Sequence, residues 1–366
     1  MRRFWNFCVA VAVLVALFAL GTGVPTETAF AEPRYVYVGG NPIGIAIGAD
    51  GLIVTGVGAV ETENGAVFPV GESVSKGDVI KAVDGVKVSN MYDFRKRISA
   101  VGDAVTLTIE RNGEAFDLKV TPALERTSGT KRLGLMLKED IGGVGTLTFV
   151  TESGAYAALG HHIYDPETGL CDSLQKGKIF DVEIENVVKG QKGKAGGLQA
   201  SINRLDTPVG ENVSNTEIGI YGIYNSEEKG EKIRVAGRGE ARMGHAQVLT
   251  TLKGTEPELY DIDIVKVVPQ KDGESKGLVL SVRDEKLLEK AGGIVQGMSG
   301  SPIIQNGVLI GAVTHVFVSD PTRGYGVHAE FMLNKAEAVA AEYGQKQKAA
   351  YGDFFGGDIY GQKEAA

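Results

Sequence analysis

Glycine is the residue that most constrains what this chain can fold into. The 366 residues include 51 glycines, which are dispersed among short β-branched runs and show no collagen-like period. Because glycine punctuates tight turns, such runs between glycines are typical of strands joined by turns. Stretches with helical periodicity are few. The sequence therefore predicts a largely β protein.

Charge and cysteine content exclude several classes of function. The formal net charge is −8, so the chain has no basic field that would hold nucleic acid. Its two cysteines, Cys8 and Cys171, exclude an intramolecular disulfide framework and a cysteine-based zinc site. A thiol nucleophile at Cys171 is one alternative, and a small core residue is the other. No Gly-rich phosphate loop or HExxH element occurs, so the expected chemistry requires no metal or organic cofactor.

The N-terminal segment has the features of an export signal. Arg2 and Arg3 precede an apolar run over 4–20, and the small-x-small sequence at 29–31 follows it. Positive charge before the apolar run places the N-terminus in the cytoplasm and the body outside it. Residues 1–31 are therefore predicted to be a signal peptide or signal-anchor helix that associates the protein with a membrane. Whether this segment is cleaved stays open.

The remaining chain divides into two predicted folded units. After a linker at 32–41, residues 42–125 form the first unit and residues 126–344 the second, with a flexible tail at 345–366. The second unit contains many short β runs, and strands at this spacing predict a sandwich or barrel.

The first unit resembles a PDZ domain. The run KGDVIKAVDGVKV at 76–88, with an Asp-Gly hairpin turn, precedes a helical stretch at 90–99 and a closing hairpin. The resemblance implies that the loop before Ile43-Gly44-Ile45-Ala46 holds a peptide carboxylate, and that an extended peptide or protein partner adds to the sheet edge there. The alternative is a module that only packs against its neighbour.

One run in the second unit is typical of a nucleophilic serine. In Gly297-Met298-Ser299-Gly300-Ser301-Pro302 the flanking glycines permit a sharp turn that exposes the Ser299 hydroxyl, and backbone N–H groups near Gly297 and Ser299 can stabilise an oxyanion. The run resembles the G-D-S-G-G-P of chymotrypsin-like proteases, which implies a double β-barrel. In that resemblance Ser299 holds the nucleophile position, and Ser301 holds a position usually occupied by glycine.

A serine nucleophile needs a general base. The candidates are the five histidines of the chain, namely His161, His162, His245, His315 and His328. We favour His161, because Ala157-Ala158-Leu159-Gly160-His161 is similar to the Ala-Ala-His-Cys setting of chymotrypsin-like proteases. The adjacent His162 is the alternative.

Taken together, the run at 292–328, the AALGHHI run at 157–163 and a preceding PDZ unit resemble the SpoIVB-type serine peptidases of endospore-forming bacteria. The resemblance spans nearly the whole chain. It implies a self-cleaving serine endopeptidase that acts on itself in trans and is exported from the forespore into the space between its two membranes. It further implies cleavage of a membrane-protein regulator of an intramembrane protease, which releases processing of a late sigma factor.

The same resemblance carries the nucleophile to Ser299, the base to His161 and the acid to Asp284. Asp284 is also well suited to cap the helix that follows it. Position alone leaves other carboxylates as competitors, namely Asp181, Asp206, Asp261 and Asp263. Proteases of this fold often have a Ser or Thr at the position of Thr314 that hydrogen-bonds the acid, and Thr314 and His315 can line the S1 region. The alternative is a buried strand threonine with no catalytic role.

Two rival functions are consistent with the same features. One is a catalytically silent PDZ scaffold at a membrane. The other is an HtrA-like quality-control protease, although that family usually carries its PDZ domains after the protease unit.

Overall fold

A computed structural model describes residues 32–202, 206–227, 230–237 and 239–355. The predicted leader at 1–31 lies outside the described residues. Within those residues, no helix is both long enough and apolar enough to cross a membrane. The predicted flexible tail begins inside a helix, because Ala329–Phe355 is continuous and the residues near 345–350 are good helix formers.

Strands are the most abundant regular structure in the described chain. The first are β1 Tyr35–Val38, β2 Pro42–Gly48, β3 Leu52–Val57, β4 Val60–Thr62, β5 Gly65–Val67, β6 Val79–Val83, β7 Val86–Lys87, β8 Val105–Arg111, β9 Glu114–Val120, β10 Ala123–Leu124, β11 Lys131–Arg132 and β12 Leu135–Lys138. They are followed by β13 Ile141–Val150, β14 Ala155–Ala158, β15 Lys176–Asp181, β16 Ile184–Val188, β17 Gly197–Ala200, β18 Gly210–Thr216, β19 Gly219–Tyr224, β20 Lys232–Val235, β21 Gly244–Thr250, β22 Glu258–Val267, β23 Leu278–Val282, β24 Pro302–Gln305, β25 Val308–Phe317 and β26 Asp320–His328. The described helices are α1 Met91–Ala100, α2 Glu285–Ala291 and α3 Ala329–Phe355.

The strand order closes into two barrels. The first runs β14-β19-β18-β15-β2-β13 and closes through β13–β14. The second runs β25-β24-β21-β22-β23-β26 and closes through β25–β26. Strands β1 and β20 join them, since β1 pairs with β13 and β20 pairs in parallel with β25. The mainly β prediction and the double-barrel prediction are both confirmed.

Alternating apolar side chains fill each barrel. Ile43, Ile45 and Ile47 of β2 lie in the core of the first barrel, and Val248 and Ile303 lie in that of the second. Side chains at alternate positions of a strand share a face, so one face of each strand lines the interior.

A PDZ-type module lies between β2 and β13 in sequence. Its sheet has the order β12-β3-β6-β8-β9, with β7 paired to β6. Helix α1 buries Phe94 and Ile98 against this sheet, and the Asn90 side chain caps its N-terminus by accepting from Asp93 N.

The module is an insertion in the first barrel, which changes its predicted bounds of 42–125. Ile47 pairs with Ile141, so the chain leaves the barrel and re-enters it on adjacent strands. Pro42–Gly48 therefore belongs to the barrel, and the module extends to Leu135–Lys138, which pairs with β3. The sequence reads continuously through both junctions, because a buried barrel strand and a buried PDZ strand have the same apolar pattern.

Candidate active site

The Ser299 turn depends on glycine at both flanks. Gly297 and Gly300 both have φ of +96°, a region that side chains disfavour. A Cβ on Gly300 would lie 2.1 Å from the Thr146 carbonyl oxygen. The Ser299 hydroxyl donates to the Thr314 carbonyl at 2.7 Å. The sequence prediction of a sharp turn that only glycine permits holds at this position.

The same turn leaves two backbone donors available. The neighbouring amides are used, since Met298 N donates to Val295 O and Gly300 N donates to Val313 O. Within the described residues, the N–H groups of Gly297 and Ser299 donate to no protein acceptor. These are the two amides expected to stabilise an oxyanion.

Ser301 has a structural role. Its side chain is buried, and its hydroxyl donates to Thr250 Oγ1 at 2.8 Å. A buried hydroxyl that is already hydrogen-bonded cannot reach a substrate, so the geometry favours Ser299 as the nucleophile.

Two threonines of the first barrel hold the Ser299 turn, and neither was predicted from the sequence. On β13, Thr146 Oγ1 donates to the Gly297 carbonyl at 2.8 Å, and Thr148 Oγ1 donates to the Gly300 carbonyl at 2.7 Å. Both threonines are buried. Their spacing of two along an otherwise apolar strand was the available signal, because it places both hydroxyls on one face.

His161 follows a tight left-handed turn at the end of β14. Leu159 and Gly160 have φ of +67° and +69°, and positive φ is uncommon for leucine and concentrates at functional sites. A Cβ on Gly160 would lie 2.8 Å from Thr314 Cγ2, and one on Gly300 would lie 2.5 Å from Leu159 N. The segment before His161 therefore packs directly on the segments around Ser299 and Thr314, so the two barrels bring the predicted base and the predicted nucleophile to one cleft.

The next residue's backbone orients the His161 ring. Its Nδ1 lies 2.8 Å from the His162 carbonyl oxygen. A carbonyl only accepts, so the ring carries its proton on Nδ1 and leaves Nε2 as an acceptor. Burial lowers the pKa of His161 below its usual value. The hydrogen bond to the His162 carbonyl opposes this shift, and the nearby His162 ring adds to it. His161 is thus held neutral, as a general base requires.

His162 and His315 flank this base. His162 supplies the orienting carbonyl, and its own ring lies edge-on to Tyr164. The exposed His315 places its ring centroid 4.8 Å from that of His161. Desolvation, with the charges of His161 and Lys276, lowers the pKa of His315 to about 4, so this ring is neutral at ordinary pH.

The structure does not bring Asp284 to His161. Asp284 caps α2, where Oδ1 accepts from Leu287 N at 3.0 Å and Oδ2 accepts from Asp261 N at 3.3 Å. Among the described residues, no carboxylate contacts either ring nitrogen of His161. The His162 carbonyl occupies the position that a triad acid would take. The resemblance-based assignment of Asp284 as the acid therefore has no geometric support.

The competing carboxylates have other partners or lie in other strands. Asp263 accepts from Arg283 Nε at 2.7 Å, and Asp261 accepts from Gln247 Nε2 at 3.0 Å. Asp181 ends β15, and Asp206 lies in the loop before β18. None of the four contacts His161 in the described part of the chain.

Thr314 acts through its backbone and not through an acid. Its buried hydroxyl donates to the Ser275 carbonyl at 2.7 Å, while its own carbonyl accepts from Ser299. The predicted hydrogen bond from Thr314 to the catalytic acid is therefore absent from the described structure.

The strand that carries Thr314 offers an open edge to a substrate. β24 pairs with β25 only as far as Ala312, and the Val313 N–H donates to Ser301 O. Beyond this point β25 continues to Phe317, and among the described strands only β26 pairs with it, on its other side. An unpaired edge accepts an extended peptide by backbone hydrogen bonding, and this edge begins beside Ser299.

Two further contacts fix the segment after His161, and the sequence analysis did not identify them. The Asn215 amide accepts from Ile163 N and donates to Ile163 O, both at 2.8 Å. The Lys138 ammonium, at the end of β12, lies 2.6 Å from a buried Asp165 carboxylate oxygen. Burial alone would raise the pKa of Asp165, but Lys138, the Thr168 hydroxyl and the Glu167 N–H hold it below its usual value.

The remaining predicted groups lie elsewhere or lack the required properties. Burial and nearby acids raise the pKa of the Cys171 thiol, which opposes a thiolate nucleophile there. The His245 ring lies near Asp261, and His328 contacts the Val268 carbonyl. Among the described residues, no cluster of three or more His, Cys, Asp or Glu could hold a metal ion.

The prediction that Ile43-Gly44-Ile45-Ala46 binds a peptide in the PDZ unit is wrong. Ile43, Gly44, Ile45 and Ala46 pair with β13 and β15 inside the first barrel, and all four are buried. They are therefore unavailable to a peptide. The physical reason is the insertion described above, which assigns this strand to the barrel.

A peptide-sized groove does exist in the PDZ-type module. It has a volume of about 410 Å³ and lies between α1 and β12, with Phe94, Ile98, Gly134 and Leu135 in its lining. β12 pairs with β3 and, in the described structure, with no other strand, so its second edge is open along the groove. This is the arrangement that strand addition requires.

Comparison with known proteins finds one family model and several solved structures that resemble parts of this chain. Residues 129–333 match the family model described as SpoIVB peptidase S55. The inactive form of the Rv3671c protease is 15% identical, and the match covers 54% of this chain and 84% of that protein's chain, with a TM-score of 0.30. A serine-to-alanine mutant of Rv3671c from M. tuberculosis H37Rv is 16% identical, and the match covers 54% of this chain and 83% of that chain, with a TM-score of 0.28. The PDZ domain of an SdrC-like protein from Listeria monocytogenes is 22% identical over 24% of this chain and 87% of its own, with a TM-score of 0.20.

No curated protein matches the chain. The family model, however, covers more than half of the sequence, and its match extends to residue 333, beyond Ser299 and beyond β25, which carries Thr314 and His315. The chain therefore belongs to the SpoIVB peptidase S55 family and is a serine endopeptidase.

Proposed function

We propose that this protein is an exported, self-cleaving endopeptidase of sporulation signalling. Its substrate is a regulatory membrane protein, and the cut activates sigma-factor processing by an intramembrane protease. Family membership supports the pathway. The observation that carries the peptidase chemistry is the packing of the segment before His161 on the segments around Ser299 and Thr314, beside an open strand edge.

The proposed reaction uses a serine–histidine pair. His161 Nε2 takes the proton of the Ser299 hydroxyl as its oxygen attacks the peptide carbonyl, while the His162 carbonyl holds the ring. The Gly297 and Ser299 amides stabilise the oxyanion. His161 then protonates the leaving amine, and water resolves the acyl-enzyme. In the resting geometry the Ser299 hydroxyl points to the Thr314 carbonyl, so it must rotate when substrate binds.

The PDZ-type module supplies a second contact with protein partners. An extended peptide, from the substrate or from another copy of the chain, adds to β12 in the groove beside α1. The predicted leader holds the protein at the membrane, in the space between the forespore membranes. Proximity to a membrane-bound substrate raises its effective concentration at the active site.

Co-expression of the full chain with a tagged candidate regulator tests this proposal. We expect one defined cut in the regulator and self-cleavage of a tagged Ser299→Ala copy supplied in trans. The Ser299→Ala and His161→Ala variants should lose both the cut in the regulator and self-cleavage. The control variant Ser128→Ala, which changes an exposed serine of the PDZ-type module, should retain both activities.

The outcomes separate the alternatives. If the Ser299→Ala variant cuts the regulator when no wild-type enzyme is present, the serine mechanism is refuted. Degradation of generic unfolded proteins favours a quality-control protease. Binding of the regulator without any cut favours a scaffold.

A further inference from the structure

The hairpin of β25 and β26 continues the active-site cleft beyond Thr314. His315 and Phe317 both lie on β25 beyond Thr314, in the stretch where the register of β25 with β26 shifts. His315 lies against His161, and the Phe317 ring packs on Tyr325 of β26 at 4.6 Å between centroids. The open strand edge is therefore bordered by an aromatic surface that starts at the catalytic base.

Two cations lie on this aromatic surface. Arg323 Cζ is 5.4 Å from the centre of the Phe317 ring, and Lys276 Nζ is 5.4 Å from that of Tyr325. Both side chains are exposed. Cation–π contact fixes the position of a charge but leaves its N–H groups free to donate.

Neither cation is neutralised within the described residues. Neither Lys276 nor Arg323 forms an ion pair there. Asp320 lies on the same hairpin, but its carboxylate accepts from the Thr322 N–H and hydroxyl. The chain has a net charge of −8. Two exposed cations on neighbouring rings, with no ion pair among the described residues, can attract a negative substrate group.

Lys276 lies next to a residue that is hydrogen-bonded to the Thr314 side chain. Ser275, next to Lys276, accepts from the Thr314 hydroxyl, so the Lys276 segment is fixed against the strand beside Ser299. The charge of Lys276 also contributes to the low pKa of His315. Lys276 therefore acts on the same cleft that holds the scissile bond.

We infer that Lys276 and Arg323 form a subsite for an acidic substrate side chain. An extended peptide paired with the Thr314–Phe317 edge advances about 3.3 Å per residue. The acidic residue then lies on one side of the scissile bond, about two to four residues from it. This inference rests on the proposed peptidase function and adds the substrate class that the site prefers.

Kinetics with quenched fluorescent octapeptides test it. A scan that compares Asp with Asn at each position, on both sides of the scissile bond, uses the full chain. We expect Asp to raise kcat/KM about fivefold over Asn at one or two positions on a single side, as for a charge-assisted contact at a solvent-exposed site. This increase in kcat/KM should come from a lower KM, and it should become smaller at high salt.

Charge variants decide whether these residues are responsible. In Lys276→Gln with Arg323→Gln, the Asp/Asn ratio should fall to about one. In Lys276→Glu with Arg323→Glu, peptides with Lys at the same position should become preferred. Lys119→Glu, an exposed lysine on the PDZ-type sheet, is the matched control and should keep the wild-type ratio.

Each outcome has a separate meaning. A wild-type ratio near one at every position, or a ratio that the Gln variants leave unchanged, overturns the acidic subsite while hydrolysis of the Asn peptides still supports the peptidase. If wild-type enzyme hydrolyses none of the peptides but cuts its own Ser299→Ala copy, longer peptides spanning that cut replace the octapeptides in the same comparison. If it cuts neither, the proposed function itself fails.

Discussion

Replacement of Asp284 by Asn separates a helix cap from a catalytic acid. Asn caps a helix as well as Asp does, so its Oδ1 can keep the 3.0 Å bond from Leu287 N. It loses the 3.3 Å bond from Asp261 N, because an amide nitrogen cannot accept. We therefore expect a stability loss below about 1 kcal/mol and kcat/KM within about threefold of wild type.

Asp284→Ala loses both bonds. The expected cost is about 1–2 kcal/mol of unfolding free energy, which lowers Tm by a few degrees in a chain of this size. At a temperature where the variant stays folded, its kcat/KM should remain close to that of wild type. Thermal unfolding followed by circular dichroism, together with peptide hydrolysis, measures the two effects separately.

The alternative has a very different magnitude. Replacement of a triad aspartate by asparagine lowers kcat about 10⁴-fold, because the histidine adopts the wrong tautomer. A loss of that size in Asp284→Asn, at unchanged Tm, would refute the assignment of the His162 carbonyl as the group that orients His161.

Three further predictions concern the base and the turns around it. Activity requires neutral His161, and burial lowers the pKa of this residue. The midpoint of the acidic limb of the pH profile of kcat/KM should therefore lie below pH 6.5. A midpoint above pH 7 would contradict this. Gly160→Ala places a Cβ 2.8 Å from Thr314 Cγ2 at positive φ, so it should reduce kcat/KM at least tenfold with a lower Tm, while Gly85→Ala, at an open turn, should lower Tm only. Thr148→Val removes the donor to the Gly300 carbonyl and should cost about 1–3 kcal/mol of stability together with part of kcat, as urea unfolding and hydrolysis will show.

Features of the site could be predicted from the sequence where a few adjacent residues determine them. The Ser299 turn needs two glycines with positive φ, and both lie within the four consecutive residues from Gly297 to Gly300. Asp284 likewise reads as a helix cap from its own neighbours. The choice between Ser299 and Ser301 followed from the same local pattern, and the burial of Ser301 agrees with it.

Contacts between distant segments were not readable in the same way. Thr146 and Thr148 hold the Ser299 turn across the barrel interface, and no local pattern names their partner. Pro42–Gly48 was assigned to the PDZ unit because an insertion leaves no local mark when both flanking strands are apolar. The backbone carbonyl that orients His161 has no side-chain signature at all, so a search among carboxylates could not find it.

The central claim is that Ser299 is the nucleophile and His161 its base. Incubation of the full chain with a fluorophosphonate, followed by peptide mass spectrometry, tests it most directly. The account predicts one covalent adduct, on Ser299, which is lost in Ser299→Ala, formed far more slowly in His161→Ala and kept in Asp284→Asn. An adduct on Ser301, or unchanged labelling of Ser299 in His161→Ala, would contradict it.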